Sequence, residues 1–258
     1  LEALQNSLAL NNCNKNIFQI IESKDRQDTI EFMNLTEFVD LIVPRGGKGL
    51  IQTLVDNSKV PFILDGDGNV HLYIHQDAKK EHIIDIVINS KVQRPGVCNA
   101  LETLLINSQI YQDMGSLIIE KLLENEVELF VDETIKEDFP NLNLANESHY
   151  ETEFLDLKLA VKVVDSVDQA IEHIKVYSSG HTEAILTESK EVADTFAKSI
   201  DSSVIFINSS TRFTDGEMFG FGSEIGISTQ KLHVRGPMGL EALTNERYVV
   251  TGEGTVRG

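Results

Sequence analysis

Gln93-Arg94-Pro95-Gly96-Val97-Cys98-Asn99 separates two regular patterns in the chain. Before it, Lys79 to Lys91 places Ile83, Ile84, Val87 and Ile88 on one helical face. After it, Thr103 to Ile106 is a short apolar run of strand type. The Pro-Gly pair between them marks a turn. A thiol on such a turn can face a cleft instead of a core. A helix, a turn and a strand in this order also point to an α/β fold.

The same alternation extends both ways. Upstream, Ile17 to Ile21, Phe38 to Val43 and Val60 to Leu64 read as strands, with helical patterns at Asp25 to Asn34 and from Leu50 to Val55. This series suggests parallel strands with crossover helices. Asp65-Gly66-Asp67-Gly68-Asn69 is a strong loop signal and places a domain boundary. Val70 to Ile74 then reads as a strand. Downstream come a helix at Ile110 to Asn125 and an extended run at Val127 to Val131. Glu133 to Glu151 is polar and reads as a surface excursion. A second series follows: strand Leu159 to Val164, helix Val167 to Tyr177, strand Glu183 to Leu186, helix Lys190 to Ser199 and strand Val204 to Ile207. It reads as another α/β unit. Ser209 to Pro237 is loop-rich, with five glycines from Gly216 to Gly236, and Arg247 to Thr251 reads as a terminal strand.

The 258 residues are 41% apolar and 24% charged, ordinary values for a globular chain. No uninterrupted apolar stretch reaches the ~18 residues of a membrane span, and no basic, apolar leader pattern is present. The formal net charge of −19 repels phosphate backbones, so nucleic acid is not an expected partner. Two cysteines, Cys13 and Cys98, make no disulfide framework and fit a reducing, cytoplasmic setting.

Several residues can carry chemistry. A Cys98 thiolate would be a good nucleophile if positive charge or a base lay near. Arg94 can supply that charge, and the backbone N–H groups of Cys98 and Asn99 can hold an oxyanion. The alternative is a buried structural cysteine. Arg45-Gly46-Gly47-Lys48-Gly49 follows a strand pattern and opens a helix, where bare backbone can approach a phosphate. A plain strand-to-helix turn reads equally well. Asn208-Ser209-Ser210-Thr211-Arg212-Phe213-Thr214-Asp215-Gly216 follows a strand end, and ligands of α/β sheets gather at carboxyl ends. Arg212 can clamp a carboxylate or phosphate there; an Arg–Asp pair in a surface loop is the alternative. Gly220 to Gly226 lacks the spacing of a nucleotide loop. His71 and His75, four apart in a strand, are separated by about 13 Å and make a poor metal pair, so no metal is expected. His181 and His233 read as structural or solvent-facing.

Four stretches in order carry a resemblance. They are Ile42 to Gly47, Gln93 to Asn99 with Glu102-Thr103-Leu104-Leu105, Asn208 to Gly216, and Gly220 to Leu243, the last containing Glu224-Ile225-Gly226-Ile227-Ser228-Thr229 and His233-Val234-Arg235-Gly236-Pro237. In these the chain resembles the gamma-glutamyl phosphate reductase (glutamate-5-semialdehyde dehydrogenase) family of the aldehyde dehydrogenase superfamily. The resemblance implies a partial Rossmann-type cofactor domain over residues 1–66, an α/β catalytic domain over 67–240 and an oligomerisation segment over 241–258. It implies a homodimer or higher homo-oligomer. It implies that Cys98 attacks gamma-glutamyl phosphate, expels phosphate and forms a thioester, which NADP(H) reduces to glutamate 5-semialdehyde in proline biosynthesis. Gly46, Gly47, Gly49 and Glu153 would then contact the cofactor. Arg94 and Asn99 would serve the oxyanion or phosphate, and Asn208, Thr211, Arg212 and Asp215 the substrate.

Two departures qualify this. Hydrolytic aldehyde dehydrogenases carry a water-activating glutamate where this chain reads Leu64 to Gly68, and a phosphate-releasing reductase has no use for one. The chain opens on Leu1, and the resemblance implies that an N-terminal part, holding the adenosine site, is missing. Two other readings therefore stand beside the reductase: an incomplete α/β fragment serving assembly, and a hydrolytic aldehyde dehydrogenase.

Overall fold

A parallel sheet can form only where crossovers return each strand to the same edge, and the downstream part of the chain provides such crossovers. In the computed structural model, described for residues 1–258 except Asp65, His233 and the side chain of Lys48, the chain divides into two compact units, Leu1–Ile63 and Leu64–Gly258.

The first unit holds helices α1 (Glu2–Leu10), α2 (Arg26–Phe32) and α3 (Lys48–Asn57), with a 3-10 turn at Lys15–Ile17. Asp25 caps α2 by accepting from the Gln27 amide at 2.9 Å. Met33, Leu54 and Val60 are its buried centre, and the Met33 carbonyl accepts from the amides of Lys59 and Val60. The three strands expected here do not form. Among the described residues, strand pairing in this unit is limited to one parallel bridge, Ile42 to Phe62, and Ile17, Phe18, Ile20 and Ile21 are exposed. An apolar run becomes a strand only when a neighbour accepts its ladder; 17–21 pairs with no strand among the described residues, and 38–43 and 60–64 meet only at the Ile42–Phe62 bridge.

The second unit contains strands β1 (Val70–Ile74), β2 (Leu101–Asn107), β3 (Glu128–Val131), β4 (Asn143–Leu144), β5 (Lys158–Val164), β6 (Thr182–Leu186) and β7 (Val204–Ile207). They form one sheet in the order β4-β3-β5-β2-β1-β6-β7, and every pair is parallel. The strands on either side of the 133–151 excursion thus make a single sheet, with β5, β6 and β7 placed around β2 and β1. The intervening helices are α4 (Lys80–Val92), α5 (Ser108–Glu124), α6 (Glu133–Asp138), α7 (Glu147–Tyr150), α8 (Val167–Tyr177) and α9 (Lys190–Ser199).

Both faces of the sheet are covered, as parallel sheets require. Leu72, Ile74, Leu104, Ile106, Ala184 and Leu186 point to one face and pack with Ile83, Val87, Ile118 and Leu122 of α4 and α5. The alternating residues Tyr73, Leu105 and Ile185 point to the other and pack with Ala170, Ile174 and Phe196 of α8 and α9. Full burial of each such aliphatic chain contributes roughly 1.5–3 kcal/mol. The polar excursion at 133–151 is more ordered than its composition indicates. It holds α6, β4 and α7, and it buries Ile135 and Tyr150.

A two-residue hairpin pairs β8 (Ile227–Ser228) with β9 (Gly236–Pro237) in antiparallel fashion. The expected strand at Arg247 to Thr251 is absent: Tyr248, Val249 and Val250 are exposed and unpaired into any sheet. No helix among the described residues is long and apolar enough to cross a membrane.

Candidate active site

Cys98 precedes β2, Gly68 precedes β1, Glu153 precedes β5, and Thr182 opens β6. Because these strands are parallel, all four positions lie at the amino edge of the sheet. The site is therefore built at the edge opposite to the one where ligands of doubly wound sheets usually gather.

Residues 95–99 form turns, as Pro95-Gly96 leads one to expect, and Cys98 is half-buried. Three segments hold it. The first is the loop before β1. A Cβ on Gly68 would overlap the carbonyl oxygen of Cys98, so bare backbone is required there. The Gly68 amide donates to Glu153 Oε1 at 2.7 Å, which brings Glu153 to the same corner. A Cβ on Gly66 would likewise stand 2.6 Å from Thr229 Oγ1. Asp65, part of the loop read as lacking a water-activating glutamate, lies outside the described residues, as does His233.

The second segment is 208–215. Asn208 remains at the carboxyl edge, where its side chain accepts from the Thr187 amide and donates to the Thr187 carbonyl at 2.9 and 2.7 Å. The chain then returns to the amino edge. Thr211 Oγ1 donates to the Asn99 carbonyl at 2.8 Å, and Asn99 Nδ2 donates to the Thr214 carbonyl at 2.7 Å. Thr214 and Thr182 hydroxyls meet at 2.9 Å, and Thr182 meets His181 Nδ1 at 2.8 Å. Arg212 Nε donates to Gln93 Oε1 at 2.8 Å. Asp215 caps the following turn by accepting from the amides of Glu217 and Met218. The structure thus joins Cys98, Asn99, Thr211 and Arg212, and it leaves the Asn208 side chain with Thr187.

Two cations, Arg94 and Arg212, lie near enough to influence one another. Partial burial, then the neighbouring Arg94, hold the Arg212 guanidinium below its ordinary pKa, while Cys98 and Asp215 oppose that shift. Arg212 Nη1 and Asn99 Oδ1 are buried and have no hydrogen-bond partner. A buried guanidinium nitrogen without a protein acceptor is a donor that a bound anion would satisfy.

The third segment is internal. Lys91 at the end of α4 and Glu102 in β2 are both fully buried, with Nζ and Oε2 2.7 Å apart. Burial pushes the Glu102 carboxyl up to about 7 against the pull of Lys91. The other oxygen of Glu102 accepts from the Leu155 amide at 3.1 Å. Sequence reasoning missed Gly68, Lys91 and Gln93 at this site; the one available signal was two opposite charges, Lys91 and Glu102, on either side of the cysteine turn.

The histidines weighed as a metal pair have separate partners. His71 Nδ1 lies 3.2 Å from Glu183, and His75 Nδ1 lies 2.6 Å from Asp77. No group of three or more metal-ligating side chains converges among the described residues. The glycines expected to approach a cofactor lie in the first unit, where Gly47 caps α3. A Cβ at Gly46 would stand 2.7 Å from Leu50 Cδ2, whereas Gly47 and Gly49 face open space.

No family model matches the chain. A gamma-glutamyl phosphate reductase of Thermoanaerobacter pseudethanolicus is 50% identical over 239 residues, 93% of this chain and 58% of that protein. The crystal structure of gamma-glutamyl phosphate reductase from Thermotoga maritima superposes with a TM-score of 0.95 at 44% identity, covering all of this chain and 62% of that one. The chain is a homologue of the gamma-glutamyl phosphate reductases. As a homologue of these reductases it spans about three fifths of their length. An acetylating aldehyde dehydrogenase from Geobacillus thermoglucosidasius shares the fold at a TM-score of 0.74 and 17% identity, covering 98% of this chain and 65% of that one. The reductase homologue therefore has an aldehyde dehydrogenase-like fold, with its half-buried cysteine at the amino edge of the sheet.

Proposed function

We propose that the protein containing this chain reduces L-gamma-glutamyl 5-phosphate to L-glutamate 5-semialdehyde, the reductive step toward proline, through a thioester on Cys98. The observation that carries this reading is the half-buried thiol of Cys98 acting, with Arg94, on an Arg212 whose Nη1 has no partner. The name of the relatives supports the choice of acyl phosphate.

In this reading the Cys98 sulfur attacks the acyl carbon, the C–O bond to phosphate breaks, and phosphate leaves with the electron pair. Arg212 and Arg94 bind the phosphoryl oxygens, which lowers the cost of charge on the leaving group. Amides of the 98–99 turn face the carbonyl oxygen as it gains charge. Gly47 and Gly49, open at the start of the ten-residue helix α3, suit a dinucleotide phosphate. When bound, NADP(H) supplies the hydride that converts the thioester to aldehyde. The aldehyde forms as the oxyanion left by hydride addition collapses, with the C–S bond breaking and its electron pair returning to the Cys98 sulfur as thiolate. The hydrolytic reading has less support, because Gly66 and Gly68 stand in the loop where hydrolytic aldehyde dehydrogenases carry a water-activating glutamate. Exposure of Tyr248, Val249 and Val250 supports a homo-oligomer that covers this segment; a purely monomeric mass by light scattering would contradict that part.

The test is phosphate-dependent oxidation of glutamate 5-semialdehyde with NADP⁺ by the protein and by Cys98→Ala. The expected result is phosphate-dependent NADPH formation that the variant lacks. Full activity in the variant overturns the nucleophile assignment, and acid formation without phosphate favours the hydrolytic reading.

A further inference from the structure

Lys91 and Glu102 are buried on either side of the cysteine turn, the first seven residues before Cys98 and the second four after it. A buried ion pair is a poor way to gain stability, because desolvating both charges offsets their attraction. Apolar side chains would join α4 to β2 at least as well. What a carboxylate adds is direction, since its two oxygens fix two partners at once.

Here those partners belong to different segments. Oε2 of Glu102 holds Lys91 at 2.7 Å, and Oε1 holds the Leu155 amide at 3.1 Å. Leu155 has a left-handed backbone, φ 53°, a conformation that a leucine adopts only when its surroundings impose it. Its carbonyl oxygen lies 3.5 Å from the position of a Cβ on Gly96, so the 153–155 loop rests on the cysteine turn itself. Two residues earlier in that loop, Glu153 accepts from the Gly68 amide, and Gly68 lies against Cys98. A closed circuit results: Lys91, Glu102, Leu155, Glu153, Gly68, Cys98.

We propose that Lys91 and Glu102 are positioning residues which clamp the 153–155 loop to the Cys98 turn and so set the pose of the thiol against the Glu153 carboxylate. The inference rests on the reading of Cys98 as nucleophile. The groups facing the pair agree with a clamp. Lys91 feels Glu102 and, more weakly, Asp156, while Glu102 feels Lys91, the Leu155 amide and Glu153. Every one of these lies in the two segments being joined or in the elements that carry them.

The test combines amide hydrogen exchange with peptide-resolved iodoacetamide labelling, using exposed Cys13 as the internal reference thiol. In Lys91→Met/Glu102→Leu, exchange rises about fivefold or more both in 94–99 and in 153–157, the size expected for loss of one hydrogen bond. Exchange in 167–177 stays unchanged, and the Cys98-to-Cys13 labelling ratio moves toward one. Should the double variant fail to fold, Glu102→Gln keeps the volume and an acceptor for Leu155. It loosens 94–99 by at least about threefold, because Lys91 loses its anion. Exchange and labelling ratios within twofold of the unaltered protein in a folded variant overturn the proposal. So does loosening confined to α4 and β2. If Cys98 of the unaltered protein labels no faster than Cys13, the nucleophile reading fails by itself, and the exchange pattern still decides the clamp.

Discussion

The backbone of Gly68 lies so close to Cys98 that a side chain at position 68 would occupy the place of the Cys98 carbonyl oxygen. Contact between the two backbones sets how deep the cysteine turn sits. Gly68→Ala must therefore displace one loop or the other, at about 1–3 kcal/mol or more for an overpacked, unyielding contact. The expected outcome is a lower melting temperature together with altered Cys98 labelling, measured by calorimetry and peptide mass. An unchanged melting temperature would mean that the loops part without cost.

Thr211 ties the 208–215 segment to the turn through its hydroxyl, 2.8 Å from the Asn99 carbonyl, in a fully buried position. Thr211→Val keeps the shape and removes the donor. Loss of about 1–3 kcal/mol is expected, since a buried carbonyl loses that partner. Thr211→Ser should retain most of the stability, and urea unfolding of the three proteins distinguishes these outcomes.

Arg212 presents the unpartnered Nη1, so its removal should weaken anion binding more than folding. In Arg212→Met the KM for phosphate in aldehyde oxidation should rise about tenfold or more, the scale of one charge-assisted hydrogen bond. The kcat should change less. Steady-state kinetics at varied phosphate measure both, and an unaltered KM would remove Arg212 from the anion site.

Two histidines make stability fall with acid. Burial depresses His173 to about 3 and His181 to about 4, whereas an unfolded histidine titrates near 6.5. Below that value the unfolded chain binds more protons than the folded one, so stability is present above pH 6.5 and declines as pH falls toward 4. The slope is roughly 1.4 kcal/mol per pH unit for each histidine. Glu102, raised to about 7, acts in the opposite sense over part of this window. Comparison with His173→Gln/His181→Gln isolates the histidines. The variant should lose less stability than the unaltered protein between pH 7.5 and 5 in urea titrations; equal losses would contradict the assignment.

Legibility in the sequence followed the range of the interactions involved. The bounds read for α8, α9 and β7 match the structure residue for residue, because helical periodicity and a short apolar run are local signals. The strands expected at 17–21 and 247–251 failed because pairing is non-local: an apolar run carries no record of whether a partner exists. The polar tract at 133–151 concealed α6 and α7, whose buried contacts rest on single residues, Ile135 and Tyr150. At the site, Pro95-Gly96 announced the cysteine turn. The return of 208–215 from one sheet edge to the other could not be read, since it depends on Thr211 and Thr214 meeting Asn99 across more than a hundred residues. Lys91 and Glu102 were hidden for the same reason, as charged residues ordinarily mark solvent.

The central claim is an acyl group carried on Cys98, and it can be weighed directly. The protein is incubated with glutamate 5-semialdehyde and NADP⁺ with phosphate withheld, quenched in acid and digested. The account predicts NADPH formed in a single burst and a glutamyl adduct on the peptide containing Cys98, lost on addition of phosphate before the quench. Continued turnover with Cys98 unmodified, or an adduct on another residue, would contradict it.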